Sequence, residues 1–69
     1  NKATAEARQV SMYLIRNLTT LSLEDIAAEF GKDHTTVMHS VDKVEKNLPS
    51  SDHLQTVVKE VTANVNGKL

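Results

Sequence analysis

The sequence predicts an all-α domain, a small helical bundle of about four helices with a helix-turn-helix within it. Three observations carry this. Apolar residues recur at helical spacing in four separate stretches. Gly31, Pro49 and Gly67 fall only at the ends of those stretches. Two glycines, one proline and 3% aromatic residues leave little material for hairpins or a strand-rich core. At 69 residues the chain is one domain, residues 1–69, with a small core.

The first helix runs from about Thr4 or Glu6 to about Asn17, after a short loop or tail over residues 1–5. Val10, Tyr13, Leu14 and Leu18 fall at i, i+3, i+4 and i+8, and Met12 and Ile15 widen the stripe. So broad an arc predicts burial on more than one side, and places this helix at the centre of the core. Thr19-Thr20-Leu21 connects it to the second helix, which Ser22 caps. Asp25 answers as a capping-box partner, shorter than the usual Glu or Gln. Leu23, Ile26, Ala27 and Phe30 form the inner face, and Gly31 supplies a left-handed stop.

Asp33 is placed to cap the third helix, whose seam is Val37, Val41, Val44 and Leu48. That seam is narrow and leaves most of the circumference polar, as suits a helix packed on one side and open to a groove on the other. Residues 22–47 thus outline a helix-turn-helix. Pro49-Ser50-Ser51-Asp52 starts a fourth helix over residues 52–66, with a stripe of Leu54, Val57, Val58, Val61 and Val65 and a stop at Gly67. Its valines lower helix propensity, so it depends on docking. The stripe either completes the core, which a domain this small can hardly spare it from doing, or docks a partner.

Several function classes find no support. There is no cysteine for a disulfide or thiolate metal site. No apolar run approaches the roughly 20 residues of a membrane span, nor is there a signal-peptide core. The chain begins at Asn1 rather than Met, which suggests a piece of a longer protein. His34 and His39 are five apart, off the i, i+4 spacing of a helical zinc pair, and His53 has no neighbouring ligand pattern. No nucleophile has a base and an orienting partner, and no glycine loop cradles phosphate, so catalytic residues, metal and cofactor are all expected to be absent.

The turn before the third helix carries the chemistry that remains. A helix N-terminus offers unpaired amides and a positive dipole end to an anion. Thr35 and Thr36 add hydroxyls, and a threonine methyl can meet the methyl of thymine. Asp33 can accept from the cytosine amine, and His34 can donate to guanine or phosphate. Equally, Asp33 and Thr36 can be an ordinary cap and first-turn residue, and capping does not exclude base contact. The second helix of such a unit enters the major groove by its N-terminal residues. The net charge of -1 gives a nucleic-acid partner no support, so support rests on placement. Arg8, Arg16, Lys32, Lys43 and Lys46 are candidate phosphate partners, with Arg8-Gln9 well placed to reach a flanking backbone. Glu24, Asp25, Glu29, Asp42 and Glu45 oppose them, and on charge alone an ordinary mixed, solvated surface is the favoured account.

Beyond this generic pattern, three runs carry a resemblance. They are Ala7-Arg8-Gln9-Val10-x-Met12-Tyr13-Leu14-x-Arg16-x-Leu18-Thr19, then Leu21-Ser22-Leu23-x-x-Ile26, then Phe30-Gly31-Lys32-Asp33-His34-Thr35-Thr36-Val37-Met38-His39. Together they closely resemble the C-terminal DNA-binding domain of the DnaA family of bacterial replication initiators, over roughly residues 7 to 46. The resemblance implies binding to double-stranded DNA at the DnaA boxes of a replication origin, in a bacterial, cytoplasmic, nucleoid-associated protein. It implies base contacts from Asp33, His34 and Thr35 with Thr36 beside them, and backbone contacts from Arg8, Gln9, Arg16 and His39. Leu23 would lie close to the DNA, and Lys32 and Lys43 join the backbone set on their charge. The fragment is expected to be monomeric and to need no cofactor, whereas ATP would belong to a domain of the parent protein lying outside this sequence.

Two departures from the family pattern stand out. Glu24 occupies the place of a proline that contacts DNA in many members, and a carboxylate there would repel phosphate. The family's basic loop, with its minor-groove arginine, should lie just before Arg8, where this chain has Asn1-Lys2-Ala3-Thr4-Ala5-Glu6. Weaker binding than that of a loop-containing domain is therefore expected. A helix-turn-helix transcription regulator and a helical interaction module are the alternatives.

Overall fold

A computed structural model describes residues 2–66, with side chains through residue 64. The described chain is four α-helices: α1 (Lys2–Leu18), α2 (Leu23–Phe30), α3 (His34–Asn47) and α4 (Asp52–Asn66), with a 3-10 turn over Leu48–Ser50 before α4. The expected tail over residues 1–5 is corrected in part, since α1 already begins at Lys2. Ala3, Ala5, Glu6 and Ala7 are strong helix formers with no breaker among them, which extends the helix by a turn. The expected stop at Gly67 and the side chain of Val65 lie outside the described residues.

Each junction is closed by local hydrogen bonds. Thr19 ends α1: its amide and its hydroxyl both donate to the Ile15 carbonyl, at 3.1 and 2.7 Å. The Leu21 amide then donates to the Thr19 hydroxyl at 3.2 Å. Ser22 and Asp25 form the complete capping box. The Asp25 amide donates to Ser22 Oγ at 3.1 Å, and the Ser22 amide reaches Asp25 Oδ2 at 3.3 Å, the longer bond being the one made by the short aspartate arm. At the other end Gly31 sits at φ 65°, ψ 34°. Its amide donates to Ala28 O and that of Lys32 to Ala27 O at 2.9 Å, so two orphan carbonyls are satisfied before α3 starts. Ser51 caps α4 through a 3.1 Å bond from the Leu54 amide.

α1 packs against α2, α3 and α4, as its broad apolar arc predicts. Met12, Ile26, Ala27, Val37 and Val41 form the buried cluster between α1, α2 and α3, with Tyr13, Ile15, Leu23 and Phe30 packed around it. Val10 and Val44 are also fully buried. Two positions depart from the sequence pattern. Leu18, counted in the stripe of α1, is 74% exposed: it is the last residue of the helix and borders an apolar hollow with Leu14, Ile15, Phe30 and Val61. Ser40, a polar residue outside the valine seam of α3, is buried beside Val41 and Val44. The α4 residues Leu54, Val57, Val58 and Val61 are half-buried, so this helix covers the bundle from one side without entering the central cluster.

Candidate nucleic-acid interface

The first turn of α3 is presented outward on a rigid base. Val37, Ser40, Val41 and Val44 are its buried side; Thr35 and His39 lie on the opposite arc, Thr36 and Lys43 stand at its edge, and all four are exposed. Lys46 shares that arc, as does the acidic Asp42. Asp33 holds the extended N-cap conformation, and its Oδ1 accepts the Thr36 amide at 2.8 Å. That backbone bond, helped by the Thr36 hydroxyl and by the neighbouring His34, holds the Asp33 carboxyl below the usual carboxylate range. An ionised carboxylate has about four acceptor sites, so the cap leaves capacity for a further donor. Asp33, His34, Thr35 and Thr36 are therefore consecutive, exposed and fixed by the cap, with donors and acceptors interleaved.

The expected anchors fall into three places. Gln9 of α1 and Lys43 of α3 line one shallow hollow of about 380 Å³, together with Lys2, Glu6 and His53. Arg16 and Leu23 line a second with Met38, on the other flank of α3. Arg16 also donates from Nη1 to the Leu21 carbonyl at 3.2 Å, which ties the α1–α2 connection to α1 and uses one of its five donors. Arg8, Lys32 and His39 are exposed and line neither hollow. Glu24 is exposed in the first turn of α2, beside Leu23, and Asp42 and Glu45 border the Arg16 hollow, so that flank carries carboxylates next to its cation.

Two features escape the sequence. Met38 borders the Arg16 hollow at 40% exposure; its one signal is an apolar residue standing off the valine seam. His53 Nε2 lies 2.6 Å from Glu6 Oε1, joining the start of α4 to the first turns of α1. Nothing local in the sequence announces a pair 47 positions apart.

A family model described as the bacterial dnaA protein helix-turn-helix matches residues 1–44. The chromosomal replication initiator protein DnaA of Caldanaerobacter subterraneus subsp. tengcongensis is 42% identical over 66 residues, which cover 96% of this chain. The proteins of the same name from Thermoanaerobacter sp. and Thermoanaerobacter pseudethanolicus are likewise 42% identical over 66 residues. The match spans about 15% of the length of these relatives. With the capped turn, the exposed first turn of α3 and the upstream Arg8-Gln9 all inside the matched region, this chain belongs to the bacterial DnaA helix-turn-helix family.

Proposed function

We propose that this chain binds double-stranded DNA sequence-specifically, as a monomer, at the DnaA boxes of a bacterial replication origin. The observation that carries the reading is the first turn of α3: four consecutive exposed side chains, Asp33 to Thr36, braced by the 2.8 Å cap on a helix whose opposite side is packed. α3 lies in the major groove with these residues against base edges. Asp33 accepts from an exocyclic amine, His34 donates, and Thr35 and Thr36 offer hydroxyls and methyls. Gln9 with Lys43 on one flank, and Arg16 with Leu23 on the other, straddle α3 and meet the sugar-phosphate backbone, which positions the helix without reading sequence. Arg8, Lys32 and His39 add phosphate contacts around them. Glu24 contributes none, since its carboxylate repels phosphate and suits the positive end of its own helix instead. The name shared by the relatives, chromosomal replication initiator protein, supports placing the target at an origin.

The test is a fluorescence-anisotropy titration of a labelled box duplex against a scrambled duplex at two salt concentrations. The box is expected to bind more tightly, and equal affinities would overturn the reading. Thr35→Ala is expected to erode the preference, by about fivefold to a hundredfold on the box alone. Arg8→Ala is expected to weaken both duplexes alike and to lower the salt slope by about one unit.

A further inference from the structure

The hollow that holds Gln9 and Lys43 also contains a carboxylate. Glu6 lies one helical turn before Gln9 on α1, its side chain 26% exposed, on the wall that a phosphate would approach. Left alone it would oppose the phosphate directly. It would also compete for the cations, because Lys2 precedes it by one i, i+4 step and Lys43 shares the hollow. His53 sits between these outcomes. Its Nε2 is 2.6 Å from Glu6 Oε1, and its own side chain is 70% exposed at the start of α4.

We propose that His53 masks the charge of Glu6, so that the hollow presents Lys2 and Lys43 to a DNA phosphate with no free carboxylate beside them. With its proton on Nε2 the imidazole donates to Glu6 Oε1 at 2.6 Å and occupies the oxygen that would otherwise face the phosphate. The pair is exposed and adds little to stability. Its effect is on what the hollow attracts, and α4, which carries none of the base readers, thereby gains a part in binding. This rests on the DNA-binding reading above. Two unit charges separated by one physiological screening length, about 8 Å, in a medium of permittivity about 40–80 interact strongly enough to change affinity about two- to sixfold. The effect shrinks as salt shortens the screening length.

The experiment compares box-duplex affinity of the wild-type chain, H53A, H53K, E6Q and the double variant E6Q/H53A at low and high salt, with melting midpoints recorded on the same samples. H53A leaves no donor on the carboxylate and is expected to bind about two- to sixfold more weakly at low salt, with the gap closing at high salt. H53K is expected to hold wild-type affinity, E6Q to bind at least as well as wild type, and E6Q/H53A to recover the loss, since no carboxylate remains to be masked. Were His53 itself a phosphate contact, or merely a prop for α4, the double variant would stay as weak as H53A, and the proposal would fall. It falls equally if H53A binds like wild type or if E6Q binds more weakly than wild type. A wild-type chain that does not prefer the box overturns the function and the mask together; a box-binding wild type with an unaffected H53A overturns the mask alone.

Discussion

Gly31 offers the sharpest test of how the turn is built, because its effect can be made to change sign. It is the one described residue with positive φ, at 65°, and an added Cβ would meet nothing within 4 Å. Substitution by L-alanine therefore carries no clash, only the left-handed backbone, which costs about 1–2 kcal/mol. Restricting the unfolded chain returns about 0.4–1 kcal/mol of this. The net loss of about 1 kcal/mol lowers the melting midpoint of a domain this size by about 4–8 °C. D-alanine, introduced by chemical synthesis, prefers positive φ and fits the same open space. It keeps the unfolded-state gain without the strain, so the midpoint should rise by about 2–6 °C. The assay is thermal unfolding by far-ultraviolet circular dichroism, on three chains that differ only at this Cα. An L-alanine chain as stable as the parent, or a D-alanine chain no more stable, would refute the assignment of the turn to backbone handedness.

Three further outcomes follow from the geometry. Val37→Ala empties a fully buried position between α1, α2 and α3 and is expected to cost about 2–3 kcal/mol, measured by chemical denaturation. Ser22→Ala removes the acceptor of the Asp25 amide and half of the capping box, at a cost of about 0.5–2 kcal/mol by the same measurement. Asp33 makes the turn acid-sensitive: its folded-state carboxyl is held below the usual range, so its capping contribution is complete above the unfolded value and lost as pH falls through the folded one. Asp33→Asn keeps a capping side chain and removes the titration, so the fall in melting midpoint on acidification should be shallower than in the parent.

What was legible in the sequence was what the chain decides locally. Ser22, Gly31 and Asp33 fix their own turns through bonds spanning three to five residues, and each stands where its residue type predicts. The valine seam of α3 was legible because one helix period contains it. Leu18 was not, because periodicity records which way a side chain points and not whether a neighbour reaches that far along the axis. Ser40 escaped for the converse reason: it is buried by the close approach of other helices, not by its own polarity. The pairing of Gln9 with Lys43 and of Arg16 with Leu23 depends on how α1 crosses α3 and α2, which no local pattern encodes. The Glu6–His53 contact is the extreme case, joining the first turns of two helices across most of the chain.

The placement of α1 against all three other helices bears on when orientational freedom is surrendered. Arg8, Gln9 and Arg16 ride on one continuous helix, whose rise sets Arg8 and Arg16 about 12 Å apart along its axis. The same helix is clamped through Met12 to the cluster that holds α3. On the DNA-binding reading proposed above, folding fixes the distance between the proposed backbone contacts and the first turn of α3 before any duplex arrives, and association is spared the entropy of aligning them. The helix acts as a ruler whose length is set by the peptide backbone rather than by the ligand. On the same proposed reading, a ruler of fixed length would favour a duplex whose phosphates already match its span over one that must be bent to fit.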